Sequence, residues 1–261
     1  MRKNASHKTL WSSGLFALVL AACLLLGSTA ARAQDSKYQT NGWQYELTLY
    51  GWAASLSGHV GPAFKVYEVD ESFHSILDYL DMAAMVHFEA RDNRWGILVD
   101  PVYVNLGDSV DTPRGWPIKL NMEEFIGGLA GSYRAYQSPA QSFDFTFGGR
   151  YNEIKPEITP YLFPTRSRSL SWVDPVVGFK GGVKLGKAWT FGYRGDVGGF
   201  GAGSQLTWSA IVRVDAHFTK NFSMGLGYAY LYNDYKTGSG YREFTYDMAM
   251  GGPYLGVSFW W

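Results

Sequence analysis

From Leu206 to Phe218 every second residue is apolar: Leu206, Trp208, Ala210, Val212, Val214, Ala216 and Phe218. The residues between them include Thr207, Ser209, Arg213, Asp215 and His217, with Ile211 the one exception. Side chains of an extended strand point alternately to two faces, so this segment reads as a strand with one apolar and one charged face. The same period of two runs through Trp43–Leu49, Phe143–Tyr151 and Phe222–Tyr232.

A soluble periplasmic sandwich also alternates. Two features argue for a membrane barrel instead. Aromatic residues sit at the ends of the apolar faces, as a lipid girdle requires, and full charges are spread over the opposite faces of most strands, as a polar lumen requires. Composition agrees: charged residues are 18% of the chain and aromatics 17%, with 31 glycines. Soluble domains carry about 25% charged residues. The formal net charge is zero, which gives no reason to expect a nucleic-acid partner.

The N-terminus reads as an export signal. Arg2, Lys3 and Lys8 precede the apolar run Leu15–Leu26, and Ala31-Arg32-Ala33 is a small-x-small cleavage site. Residues 1–33 are therefore assigned to a signal peptide and 34–261 to one barrel domain. An uncleaved anchor is the alternative, although the run is short for a helix that needs about 20 apolar residues. Leu20-Ala21-Ala22-Cys23 also has the form of a lipoprotein box, but cutting there leaves Leu24-Leu25-Leu26 at the new start. Cys23 is the only cysteine, so after cleavage at Ala33 no disulfide or cysteine metal site supports the fold. Nothing beyond Ala33 resembles a transmembrane helix. A spanning chain without one must close into a barrel to satisfy its backbone in lipid.

The expected fold is therefore all-β: a single antiparallel transmembrane barrel of about ten strands, with eight or twelve possible. The strands are expected near 43–57, 82–91, 95–107, 117–134, 142–154, 172–185, 189–198, 204–218, 222–235 and 244–261. The fourth is the least regular, and a bulge is expected around Glu123, Glu124 and Phe125. Short links at 92–94, 135–141, 186–188 and 219–221 alternate with links that are longer on average, at 58–81, 108–116, 155–171 and 236–243; only 199–203 is short among these. This asymmetry places short turns and both termini in the periplasm. Leu255, Val257, Phe259 and Trp261 alternate to the last residue, as a closing strand in the aromatic girdle would. Such an end resembles the signal read by the barrel-assembly machinery. In the first outer loop, 64–69 suggests a hairpin arm. Ser72 is placed to cap a short helix whose Phe73, Ile76, Leu77 and Leu80 share one face.

Two stretches resemble a mostly uncharacterised family of Gram-negative outer-membrane barrels. One is the pattern F-x-x-I-L-x-x-L-D-x-A-x-M-x-x-F-E-A-R, then R-W-G-x-x-x-D-x-x-Y, within Ser72–Tyr103. The other is Asp196-Val197-Gly198-Gly199-Phe200-Gly201-Ala202-Gly203-Ser204, followed by Leu206-Thr207-Trp208. With Tyr50-Gly51-Trp52 and Gly252-Pro253, the likeness covers nearly all of 34–261. The resemblance implies an outer-membrane barrel and carries no catalytic residue.

The inward faces are expected to hold Glu46, Glu89, Asp100, Asp144, Asp174, Asp196 and Asp215 with Arg91, Arg150, Lys180, Lys184, Arg194 and Arg213. Neither sign dominates, so the lumen is no strong ion filter. A ten-strand barrel is about 20 Å across its backbone, and these side chains would largely fill it, with cross-strand ion pairs. His87 and His217 read as wall residues. His59, His74, Asp70 and Glu71 lie in the first outer loop at no recognisable metal spacing. The Gly-rich run lacks the Lys-Ser/Thr of a phosphate loop and reads as a tight outer turn.

No catalytic, cofactor or metal site is expected. Three functions stay open: a small channel or transport barrel with a narrow, charge-balanced lumen; a structural or surface-binding barrel with a plugged lumen; and an outer-membrane enzyme of the protease or lipid-A-modifying type. The expected partners are outer-membrane lipid and lipopolysaccharide, the latter within reach of Lys155, Arg166 and Arg168.

Overall fold

The computed structural model describes residues 42–111, 117–160 and 164–261. The signal segment and Cys23 lie outside the described residues. The strands, in chain order, are β1 (Trp43–Trp52), β2 (Ser55–Pro62), β3 (Tyr67–Glu71), β4 (Leu80–Asp92), β5 (Trp95–Asp111), β6 (Pro117–Gln137), β7 (Gln141–Pro160), β8 (Arg166–Ser167), β9 (Leu170–Lys184), β10 (Trp189–Gly199), β11 (Leu206–His217), β12 (Phe222–Thr237) and β13 (Phe244–Trp260). One short helix, α1 (Phe73–Tyr79), lies between β3 and β4.

Ten of these strands form the wall, in the order β1-β4-β5-β6-β7-β9-β10-β11-β12-β13, every neighbour antiparallel, and β13 pairs with β1 to close the ring. The closing register runs from Glu46↔Trp260 to Trp52↔Tyr254. Trp261 extends it by exchanging backbone hydrogen bonds with Tyr45, at 2.9 and 3.2 Å. The remaining strands, β2, β3 and β8, are additions at one end of the barrel.

The two ends differ. At the turn end, where β1 starts and β13 stops, short connections join β4–β5, β6–β7, β9–β10 and β11–β12. The tightest is Asn93-Arg94, where Asn93 takes a positive φ of 53°, as a two-residue hairpin turn demands. The opposite, loop end carries α1, the β2–β3 arm and the other connections.

The first strand departs from expectation. It stops at Trp52 instead of running to residue 57, and after Ala53-Ala54 the chain starts β2, a separate strand. β13 is long enough to serve both: its Tyr254–Trp260 half pairs with β1 and its Phe244–Gly251 half with β2. The 58–81 link is thus largely an ordered hairpin and helix. The 155–171 link is mostly strand, since β7 runs to Pro160 and β8 folds back on it. The bulge is displaced as well. The β6–β7 register is unbroken from Ile118 to Arg134 and slips only between Arg134 and Tyr136. Glu124 consequently shares the inward face with Ile126 and Ser132. Ser72 caps α1 by accepting from the Ser75 N–H at 3.2 Å.

The outward face is an apolar belt that includes Leu49, Val99, Leu129, Phe147, Val177, Val212, Leu226 and Leu255, all exposed. Aromatic rings edge it at the turn end. Tyr45 stacks on Trp43, Phe88 and Trp261, Trp95 leans on Tyr133, and Phe222 bridges Phe218 and Phe259. Trp208 stacks on Tyr230 further along. A dry belt between aromatic residues is what a membrane-spanning barrel presents to lipid.

Candidate functional site

The inward side chains form two zones. Towards the turn end the lumen is ionic. Arg91 donates to Glu89 at 2.6 Å and to Asp144, and Arg134 also binds Asp144. Lys180 of β9 meets Glu89 of β4. Those strands lie four places apart in a ring of ten, so this pair crosses the lumen. Arg213 of β11 reaches Glu46 of β1 at 3.0 Å and Asp215 at 3.1 Å. His217 bonds Thr190 at 2.9 Å and leans on Trp260 below them.

A second ionic layer lies above. Arg194 of β10 binds Asp100 of β5 at 2.5 Å, and Asp100 also accepts from the Tyr50 hydroxyl at 2.9 Å, with His87 3.4 Å away. Arg150 binds Asp196 at 2.6 Å and donates to Thr207 and Ser209. Asp174 stands apart. It is fully buried, pairs with no cation among the described residues, and accepts from the Ser204 N–H and hydroxyl, from Trp172 Nε1 and from Asn152. Lys184 is exposed at the end of β9 and joins none of these groups. Arg134 was missed in the sequence. It continues the alternate inward positions Glu124, Ile126 and Ser132, at the very end of the expected fourth strand, just before the register slips.

Towards the loop end the interior is packed mainly with apolar side chains, with Glu124 among them accepting from the Tyr246 hydroxyl at 2.9 Å. Ile126, Leu231 and Met250 pack with Trp52, Ala54, Leu56 and Val102. Beyond them Ile154, Trp172, Tyr235, Tyr246 and Met248 form a second cluster, joined by Val60, Val69, Met122 and Phe244. Trp172 and Tyr235 stack with centroids 4.0 Å apart. The inward charges point to a polar lumen, and no sequence pattern marks this plug.

Between the upper ionic layer and the plug is a cavity of about 90 Å³, lined among others by Tyr50, Trp52, Asp100, Val102, Arg194 and Tyr254. It is smaller than the engineered apolar cavity of about 150 Å³ that takes benzene. Ligand pockets for larger molecules start near about 300 Å³.

The first-loop group does not assemble into a catalytic cluster. His59 is exposed on β2, in register with Asp247 on one side and Glu68 on the other; His74 is exposed on α1, and Asp70 and Glu71 are exposed on β3. No hydrogen bond or ion pair joins His59, His74, Asp70 and Glu71. Among the described residues no group of His, Cys, Asp and Glu is arranged to hold a metal ion.

The Gly-rich run forms the β10–β11 turn. Gly199, Phe200 and Gly201 have φ of 87°, 51° and 78°. A Cβ on Gly199 would come within 2.7 Å of the Ser204 carbonyl, so glycine is required there for both space and conformation.

The architecture matches solved structures. The outer-membrane protease OmpT from Escherichia coli superposes with a TM-score of 0.56 over 88% of this chain and 100% of its own, at 9% identity. The fold is that of bacterial outer-membrane β-barrels. Ail of Yersinia pestis, in complex with the heparin analogue sucrose octasulfate, gives a TM-score of 0.42 at 12% identity, covering 85% of this chain and 100% of its own. The transport unit of the autotransporter AIDA-I from Escherichia coli gives 0.41 at 8%, covering 92% and 97%. No protein-family model matches the sequence, and no curated protein matches it.

Proposed function

We propose that this is an outer-membrane barrel whose lumen is closed, and that it works at its loop end as a surface-binding barrel, not as an open channel. The carrying observation is the Lys180–Glu89 pair, which spans the lumen beneath a packed apolar plug. Removing one partner of a buried ion pair strands the other charge at a cost of about 3–5 kcal/mol. Thermal opening of several such pairs together is therefore rare. An ion that passed them would still have to cross the packed side chains of Trp52, Leu231 and Met250, which do not replace its water.

On this reading the signal peptide leaves after Ala33, the barrel-assembly machinery inserts the chain, and short turns and termini face the periplasm. The belt contacts outer-membrane lipid, and the loop end faces outward among lipopolysaccharide, with Lys155 and Arg168 exposed towards it. The test is planar-bilayer conductance of the purified protein. The closed barrel gives no unitary steps at any voltage. Reproducible steps would restore the narrow-channel reading.

A further inference from the structure

The barrel wall is split at its loop end. β1 and β4 pair from Trp43↔Asp92 to Leu49↔Val86 and no further. Above that level β13 passes its edge to β2, and β2 to β3, which among the described residues has no second ladder partner. On the other flank Leu80↔Leu106 begins a ladder in which β4 pairs with β5, while residues 80–85 of β4 have no partner on the β1 side among the described residues. Two strand edges with unpaired backbone groups therefore bound the split. α1 connects them in sequence. Such edges are templates for adding another strand.

Charge selects what could be added. Glu68, Asp70 and Glu71 on β3, Asp78 on α1 and Asp81 at the start of β4 are all exposed. No Lys or Arg occurs between Lys65 and Arg91. A second copy docking β3 against β3 would bring like charges together across the new ladder, which is destabilising. Phosphate-bearing lipid headgroups would be repelled for the same reason. An extended segment bearing cations would be attracted. The other face of β3 is different in kind: Val69 packs against the inner apolar cluster. An added strand would then need cations on one face and apolar residues on the other, alternating with period two.

We propose that the free edge of β3 binds an extended cationic peptide segment by strand addition, with Lys or Arg at alternate positions beside Glu68 and Asp70 and apolar residues on the Val69 side. This rests on the reading that the loop end is the working surface. It does not depend on whether the lumen conducts.

The test uses the full chain, expressed in a Gram-negative host and purified from its outer membrane in neutral detergent. The probe is a fluorescein-labelled peptide of alternating Lys and Val, seven residues long, followed by anisotropy. Saturable binding that falls with added salt is expected, with none for the Glu–Val counterpart. The double variant Glu68→Gln/Asp70→Asn should bind about tenfold more weakly, the sum of two exposed ion pairs. N-methylation of alternate peptide nitrogens on the pairing edge should abolish binding, since it removes the ladder donors and leaves every charge in place. Unchanged binding of the N-methylated peptide would reduce the site to a plain acidic patch and overturn the proposal. So would unchanged binding by the double variant, or no binding of the parent peptide. A concentration-dependent dimer in light scattering, or capture by anionic lipid vesicles, in place of peptide binding would assign the edge to those occupants. Unitary conductance steps would sink the closed-lumen reading alone. Peptide failure in a non-conducting barrel would sink this one alone.

Discussion

Asp174 holds Ser204 twice: Oδ1 accepts from the backbone N–H at 2.5 Å and Oδ2 from the hydroxyl at 2.8 Å. The carboxylate thereby fastens the strained Gly199–Ser204 turn to β9, and Trp172 Nε1 and Asn152 bind its remaining lone pairs. A buried carboxyl group that no described cation meets is tolerated because four neutral donors replace water. Asp174→Ala leaves those donors unsatisfied at a fully buried site, so it should destabilise the barrel by at least about 2 kcal/mol. Asp174→Asn keeps the volume and part of the bonding, and should cost less. Urea unfolding of the protein in lipid vesicles, followed by tryptophan fluorescence, reads both. Equal stability of wild type and Asp174→Ala would remove the tether.

The two zones of the lumen close it independently, so opening it should require changes in both. Lys180→Ala with Arg194→Ala thins the ionic layers, and Trp52→Ala with Leu231→Ala and Met250→Ala thins the plug. Each set alone should remain silent in a planar bilayer, whereas the combined variant should give unitary steps. The large-to-small changes cost about 2–5 kcal/mol per site where no neighbour collapses into the space, so each variant's folding is confirmed first by circular dichroism. Steps from the ionic set alone would show that the plug does not seal.

The barrel and its ten-strand wall were legible because period-two alternation with aromatic ends is a direct image of a strand between lipid and a polar interior. The plug was not, and the reason is physical. Once a strand rises past the lipid, its outward face meets water, and the polarity of the two faces reverses. On β13 the inward residues Tyr246, Met248 and Met250 are buried apolar groups while Asp247 faces out. On β7 Ile154 is buried inside between Glu153 and Lys155. Reading one polarity along the whole strand therefore puts charge throughout the lumen. The β1–β2 break escaped for a different reason: Ala53-Ala54 carries no turn signal, and only the length of β13 shows that two strands share it. The paired charges are a mixed case. Their types and alternation were visible, but partners four strands apart depend on barrel closure, which no local pattern encodes.

The polarity reversal is itself testable on the outward face. Leu226 of β12 is 63% exposed in the belt, yet its surroundings are lipid. Leu226→Arg should cost about 2–4 kcal/mol, as a charge near the bilayer midplane does. Ala249 of β13 faces the same way but lies beside Asp247 and opposite Ser57 and Tyr232, above the belt. Ala249→Lys should cost less than about 1 kcal/mol. Urea titrations of the two variants in the same vesicles compare them directly. Equal costs would mean that the lipid boundary is not where the faces exchange polarity.

Gly252 stands where β13 changes partners, between Gly251↔Ser55 and Tyr254↔Trp52. The chain leaving β1 crosses directly over it. A Cβ there would lie 1.9 Å from the Ala53 carbonyl oxygen and 3.0 Å from the Ala54 Cα. The obstruction is backbone on both counts, and Ala53 is already committed to a 2.8 Å hydrogen bond with the Pro253 carbonyl, so no rotamer change can relieve it. Gly252→Ala should therefore push β2 off β13 and destabilise the barrel by about 1–3 kcal/mol, the usual cost of overpacking. Gly51, on the neighbouring strand, has nothing within 4 Å of the same added atom, and Gly51→Ala should stay within about 0.5 kcal/mol of wild type. Because β2 carries β3 with it, Gly252→Ala should also weaken binding of the Lys–Val peptide while Gly51→Ala leaves it intact. A Gly252→Ala protein with wild-type stability would show that β1 and β2 do not share β13 at this crossing.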